Sequence, residues 1–419
     1  MKTFVRFVKR QIISIINGDL STISRKLKKL YPHLMYFPLY VLAIPVVIII
    51  RIIGPIFLIR WNGALASRIG TFAANLELYL CEKDSGINVP KQRYFDIFFP
   101  EYIPICNNQL LLMWKRVLRI WPRFIFYPIK VVNKIIPGGD AHEFSTSCND
   151  RDFYNLYDQS LPHLFFTEDE EERGAQGLLN LGIPIENKFV CLMVRDSAYL
   201  PELNYHSYRD GDINKYILAA EELTRRGYYV IRMGAAVNQK LESKNPKIID
   251  YATNGYRSDF MDIYLGAKCT FCVSTSTGFD AVPTIFRRPN VFITVPVGYI
   301  YTFSKNFLSI TKHHISIKDG HELSLDEIFD HNVAYALSTD IFTDNGVRLV
   351  ENSPEEIRDL VIEMDERING DFSGEDKVRK NDSIRNYVKN LNKDQQNLHG
   401  EVVSLFGAKF IEDNSSFKI

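Results

Sequence analysis

Acidic side chains are almost missing from the start of the chain. Residues 1–60 hold ten lysines and arginines and one carboxylate, Asp19. The whole has 50 basic and 50 acidic residues, which leaves 40 against 49 beyond the head. A head near +9 therefore precedes a body near −9. The absence of net charge argues against nucleic acid as the main partner, while the basic head suits an anionic membrane surface. Cysteine is sparse and scattered: Cys81, Cys106, Cys148, Cys191, Cys269 and Cys272. They lack the paired Cys-x-x-Cys units of a zinc site, so no metal is expected. Cys191, Cys269 and Cys272 sit in or beside apolar runs and read as buried free thiols of a reducing compartment. No internal repeat is present. No small-residue cleavage site follows the apolar stretch, which argues against a removed signal peptide.

Long apolar runs are also scarce. The uncharged stretch 34–50, LMYFPLYVLAIPVVIII, has 17 residues, the lower limit for a spanning helix. Pro38, Pro45 and the following Pro55 are each expected to disturb a helix there. Lys2, Arg6, Lys9, Arg10, Arg25, Lys26, Lys28 and Lys29 precede it, which places the head on the cytoplasmic side. A single span would then send the body outside, away from cytosolic nucleotides. The expectation is a peripheral or monotopic anchor, with a single pass or an ordinary buried element as alternatives.

With 419 residues, the chain has room for two domains and extensions. The reading is a membrane-associated segment 1–54, a first domain 55–185, a second domain 186–340 and a polar helical tail 341–419. In the first domain PIFLIR and YFDIFF read as strands, WNGALASRIG as a loop, TFAANLELYL and NNQLLLMWKRVLRI as helices, and 121–160 as irregular. Thr167 and Glu170 form a capping box. The second domain alternates more regularly: KFVCLMVR, YYVIRMG, PKIIDYA, CTFCVS and NVFITVP as strands, with helices at DINKYILAAEELTRRG and SDFMDIYLGA between them. This is the pattern of a doubly wound parallel sheet. In the tail, Ser353, Pro354 and Glu356 open a helix that Gly370 stops.

One junction carries more polar residues than capping uses. Between the strand CTFCVS and the next short helix stand Ser274, Thr275, Ser276, Thr277 and Gly278. Ligands bind at the C-terminal ends of parallel strands, and a helix start there offers free N–H groups and a partial positive charge. The hydroxyls and a close-approaching glycine would cradle a pyrophosphate. Arg195 and Arg232, near the ends of the first two strands, are suited to bidentate phosphate contacts at the same edge.

The segments YHSYRDGDINKYILAAEELTRRGYYVIRMG, SDFMDIYLGAKCTFCVSTSTGFD and PTIFRRPNVFI, with SRIGTFAANLELYL, FFTEDEEERG and NGVRLVENSPEEI, resemble a family of bacterial glycosyltransferases of surface-polysaccharide synthesis. The resemblance runs from about residue 35 to 370. More distantly the chain is similar to the two-domain GT-B enzymes of lipopolysaccharide synthesis. The family more often carries glycine within the stretch that reads STSTG here. The resemblance implies an α/β fold of two Rossmann-like domains facing a cleft; the basic, apolar head read above adds the expectation of an N-terminal membrane-associated helical segment at the cytoplasmic face of the inner membrane. It implies a nucleotide-sugar donor as substrate in the second domain, a glycan or lipid-linked acceptor in the first, and no cofactor. The donor would meet Arg195, His206, Arg232, Asp259, Ser274, Thr275, Ser276, Thr277 and Gly278; the acceptor would meet Gly63, Ser67, Arg68 and Gly70. Glu77, His142 and Glu143 are weak candidates for a base, with inverting and retaining transfer both open. Asp210-Gly211-Asp212 imitates a metal-binding pair, but Asp212 reads as a helix cap, and Lys312-His313-His314 reads as a surface loop. A nucleotide-sugar epimerase of the same plan and a non-catalytic membrane adaptor are the rival functions.

Overall fold

The computed structural model describes residues 20–145, 151–198, 201–293, 296–299, 304–373, 382–387 and 403–414, with backbone alone for 20–36 and 201–204. The basic stretch 1–19 and Cys148 lie outside these residues. The chain divides into two compact units that interleave in sequence. The sequence reading assigns Ser67–Ile87 to a consecutive first domain. In the structure that segment, Cys106–Trp114 and Thr146–Ile419 form the second unit, and Met1–Ala66, Asn88–Ile105 and Lys115–Ser145 form the first.

The first unit holds helix α1 (Leu20–Ile53) and parallel strands β1 (Leu58–Ala64) and β2 (Tyr94–Pro100), in register from Leu58–Tyr94 to Ala64–Pro100. Helix α2 (Ile69–Asp84), between the two strands in the chain, belongs to the second unit; helix α3 (Arg123–Ile135) returns to the first. Ala43, Val47 and Ile50 of α1 and Phe126, Ile129 and Val132 of α3 recur at helical spacing and close a core over Trp61, Ile97 and Phe99. Two expectations are corrected here. Helix α1 runs unbroken through Pro38 and Pro45, because its packed face holds it where local propensity does not. The stretch taken as irregular contains α3, whose apolar periodicity is masked by Pro128. Gly63 is a strand residue opposite Phe99, not a loop residue; its missing side chain leaves room for the Glu101 carboxylate. Among the described residues no helix is long and apolar enough to cross a membrane.

The second unit is built on a sheet of strands β3 (Phe189–Met193), β4 (Tyr229–Arg232), β5 (Ile248–Ile249), β6 (Cys272–Ser274), β7 (Asn290–Phe292), β8 (Phe307–Ser309) and β11 (Leu405–Phe406). Its order is β11-β8-β7-β6-β3-β4-β5, with every pairing parallel. Helices on the faces explain the near-continuous burial of Phe189–Leu192 and Cys272–Ser274. The chain runs outward from β3 through β4 and β5, then returns to β6 and runs the other way. The reversal puts a topological switch point between β3 and β6. Cys191, Cys269 and Cys272 are buried free thiols. Cys269 and Cys272 do share Cys-x-x-Cys spacing, and they donate to the carbonyls of Gly266 and Val273.

The caps read from sequence form at Thr167–Glu170 and Ser353–Glu356, with Gly370 left-handed at the end of the second helix. The tail is less loose than expected, since Phe406 is fully buried where β11 extends the sheet beside β8. Lys312-His313-His314 is not a surface loop. His313 and His314 begin strand β9 (His313–Ser316), antiparallel to β10 (Val347–Val350). There His313 is bridged by Glu322 and Glu356, and burial lowers the pKa of His314 to about 4.

Candidate functional site

A cavity of about 520 Å³ opens at the switch point of the second unit, within the range of roughly 300–1,000 Å³ typical of small-molecule sites. Its floor is set by backbone pairing. The Thr275 N–H donates to Met193 O (3.1 Å) and the Arg195 N–H to Thr275 Oγ1 (2.8 Å), so β3 and β6 stay stitched one residue past the sheet. The chain then turns: Ser276 adopts φ +59° and the loop runs through Gly278 to Asp280 and the short helix α7 (Ala281–Ile285), after α4 (Glu168–Asn180), α5 (Ile217–Arg225) and α6 (Asp259–Lys268) in the chain. Asp280 braces the loop from behind, taking Ser274 Oγ at 2.8 Å and the Thr277 N–H at 2.7 Å. Burial raises its pKa to about 6, against these hydrogen bonds.

The expected cradle is thereby divided. Ser276, Thr277 and Gly278 line the cavity. Ser274 and Thr275 are fully buried behind it and serve the loop and the strand. Opposite, the N-terminus of α2 opens on the same space through Arg68, Ile69, Gly70 and Thr71. No side chain caps that helix, so its first N–H groups present a positive end. Gly70 has no room for a side chain, since an added Cβ would lie 2.9 Å from Gly278 Cα. Arg68 and Gly70, expected at an acceptor, thus share a wall with residues expected at the donor, whereas Ser67 does not line this cavity and Gly63 belongs to the first unit.

Five arginines and three aspartates line the cavity, which biases it toward an anion. Arg195 is ion-paired with Asp210 and donates to His206 O at 3.2 Å. Arg209, which stands in the YHSYRD segment and carries no motif signal of its own, donates to Ser276 O at 2.8 Å. His206 has its pKa lowered to about 4, first by burial and then by Arg209 and Arg195, so the imidazole is neutral at pH 7. Three polar atoms on this wall are buried without a hydrogen-bond partner among the described residues: His206 Nδ1, Arg209 Nε and Ser276 Oγ. Each such orphan costs about 1–3 kcal/mol, a cost that a bound polar ligand removes. The apolar remainder includes Met233, Val237, Phe279 and Phe292. Asp262, on the lining beside Arg257, has its pKa raised to about 6 by burial, partly offset by that arginine.

Other expected site residues lie elsewhere. Arg232 is buried and bound to Asp250 at 3.1 Å, because the strand turns its side chain into the interior rather than to the cavity. Asp259 does not line the cavity; its carboxylate accepts from the Asn108 N–H and side-chain amide, and Ser258 is the helix cap. Glu77 is fully buried and ion-paired with Arg287 at 2.7 Å. His142 and Glu143 belong to the first unit, where His142 Nδ1 lies 2.6 Å from Ile59 O and Glu143 pairs with Lys134. Asp212 caps the turn at Asn214, which with the Arg195–Asp210 pair uses up the metal-like doublet. Glu77, Cys81 and His163 bring ligand-type atoms within 4.8 Å of one another, but the cation already against them is the Arg287 guanidinium.

No family model matches the chain, and no curated protein matches it. Among solved structures it is similar to Escherichia coli ADP-heptose LPS heptosyltransferase II, at 14 % identity over 69 % of this chain and 96 % of that one, with a TM-score of 0.36. It is also similar to the E. coli heptosyltransferase WaaC with ADP-2-deoxy-2-fluoro heptose, at 12 % identity over 68 % and 98 % of the two chains, with a TM-score of 0.27.

Proposed function

We propose that this protein is a glycosyltransferase of surface-polysaccharide synthesis, which binds a nucleotide-diphosphate sugar at the switch point and passes the sugar to a glycan or lipid-linked acceptor. The observation that carries the reading is the convergence on one wall of Arg195, Arg209 and the uncapped start of α2 with three buried, unpartnered polar atoms. A diphosphate has the charge and the acceptor oxygens for the arginines, the helix start and Ser276 Oγ, and a sugar hydroxyl can donate to the Nδ1 lone pair of neutral His206. The apolar side suits a nucleoside. The segment resemblance supplies the reaction class and the acceptor. In the transfer an acceptor hydroxyl oxygen bonds to the anomeric carbon and gives up its proton. The bond from that carbon to the β-phosphate oxygen breaks, and its electron pair leaves with the diphosphate. Arg195, Arg209 and the helix terminus would stabilise the charge that grows there. Arg68 and Gly70 then serve the donor rather than the acceptor.

Thermal unfolding with a panel of ADP-, UDP-, GDP- and CMP-sugars tests this. A ligand at 100 times its Kd should stabilise the protein by about 2.7 kcal/mol, and Arg209→Ala should abolish the gain without lowering the stability of the free protein. Because arginines and a helix end carry the charge, turnover of the responding donor should survive EDTA. An absence of stabilisation by every nucleotide sugar would sink the proposal, and would leave an adaptor role in its place.

A further inference from the structure

The donor cavity leaves the outer side of α1 unexplained. Tyr40, Ala43, Val47 and Ile50 face the core of the first unit at three- and four-residue spacing. The other sides are equally apolar and uncovered: Phe37, Leu42, Ile49 and Ile52 are 63, 64, 58 and 70 % exposed, and Val41, Ile44, Val46 and Ile48 stand out with them. From residue 37 to 50 the only polar side-chain atom is the Tyr40 hydroxyl. A helix that is apolar all round is stable where every side is shielded from water, and a face this wide marks a binding surface. Helix α3, packed against α1 in the same unit, also exposes Phe124, Ile125 and Ile135, with Trp121 just before it. Neither helix contains an acidic residue; α1 carries Arg25, Lys26, Lys28, Lys29 and Arg51 and α3 carries Arg123, while Lys130 and Lys134 of α3 are paired with Glu101 and Glu143.

We infer that this side of the first unit is a docking surface for an anionic lipid bilayer. Helix α1 lies in the plane of the headgroups, its outer apolar side enters the acyl boundary, and the flanking basic residues meet lipid phosphates. Charge selects the lipid over a second copy of the chain, since two such faces would bring acid-free basic helices together. Anchoring selects an in-plane helix over a crossing one. Arg51 is held to Asn133 Oδ1 at 2.6 Å and to the carbonyls of Ile136 and Pro137 at 3.2 and 3.1 Å, so the C-terminal half of α1 is fixed along the unit. The inference is independent of the donor site.

The test is sedimentation of the full chain with vesicles of phosphatidylethanolamine and phosphatidylglycerol, beside vesicles of phosphatidylcholine alone. Binding to the anionic vesicles should be roughly tenfold tighter or more, and should weaken as salt rises. Leu42→Glu combined with Ile49→Glu places two charges on one exposed stripe, seven residues apart, and should weaken binding by about tenfold or more. The same variant should keep its thermal unfolding midpoint and any nucleotide-sugar response, which separates lost docking from lost folding. Alkaline carbonate should release the bound wild type. The inference is overturned if the wild type ignores both vesicle types, if the double variant binds as the wild type does, or if carbonate leaves the chain in the bilayer. It is equally overturned if the lipid-free protein is a dimer that the double variant dissociates.

Discussion

Ser276 is the residue where backbone and chemistry meet. Its φ of +59° is a left-handed conformation that costs a residue with a Cβ roughly 1–2 kcal/mol, and such strain gathers at ligand-facing turns. Its hydroxyl oxygen is buried and unpartnered on the cavity wall. The two features can be separated. Ser276→Gly removes both strain and hydroxyl, and Ser276→Ala removes the hydroxyl alone. The glycine variant should be more stable than the alanine variant by about 1 kcal/mol in denaturant unfolding, while both lose donor affinity to a similar extent. Equal stability of the two would mean that the turn relaxes and carries no strain. The crowding of hydroxyls made this turn legible in the sequence, but not which hydroxyl faces the ligand. Ser274 and Thr275 read like Ser276, and what separates them is the ladder bond from Thr275 to Met193, which keeps them in the sheet. Arg232 and Arg209 show the same limit. Arg232 was chosen because it ends a strand, yet Asp250 claims it; Arg209 lies in a 3₁₀ segment whose irregular direction no periodicity reveals.

At the scale of elements, the wall of the cavity depends on how α2 is held. Its N-terminus meets the loop at the close approach of Gly70 to Gly278. One face of its middle is locked by buried Glu77, which accepts from Arg287 at 2.7 Å and lies 3.0 Å from His163 Nδ1. The other ring nitrogen of His163 is 2.9 Å from Asp84. Burial alone would lower the pKa of His163, but hydrogen bonds to Cys81, Glu77 and Asp84 raise it to about 10. A histidine whose folded pKa lies above its unfolded value of about 6.5 stabilises fully below that value, and the contribution fades as pH climbs through the folded pKa. His163→Gln should therefore be less stable than the wild type at pH 6, and the gap should narrow steadily toward pH ~10. A gap that stays constant across this window would show that His163 acts through packing and not through its charge. The sequence made α2 visible as a helix but offered Glu77 as a base, because its partner Arg287 lies 210 residues away. Prolines argue locally against α1, and Pro128 lies inside α3; in both helices tertiary packing outweighs the local rule. The parallel sheet is legible from β3 to β7, since strands buried on both faces leave continuous apolar runs. Its far edge is not: β8 and β11 have three and two residues, too few for any period.

At the scale of the whole chain, the opposition between a basic head and an acidic body matches the two proposed functions, which rest on different physics. The proposed lipid docking combines an apolar face on α1 and α3 with long-range attraction by basic residues, whereas the proposed donor site is a cavity lined entirely by the second unit. Removing residues 1–19 deletes Lys2, Arg6, Lys9 and Arg10 along with Asp19, a net loss of three positive charges, and leaves the apolar face in place. Each basic residue near an anionic surface contributes on the order of 1 kcal/mol at moderate salt. The shortened chain should therefore bind phosphatidylglycerol vesicles roughly a hundredfold more weakly at ~0.1 M salt. At ~1 M salt, where screening acts within about 3 Å, it should match the full chain, because only the apolar contribution remains. Its thermal response to the preferred nucleotide sugar should be unchanged under both conditions. A deficit in vesicle binding that persists undiminished at high salt would mean that the head docks by burial and not by charge. A lost nucleotide response would mean that head and cavity are coupled, and that the charge division along the chain does not mark a division of labour.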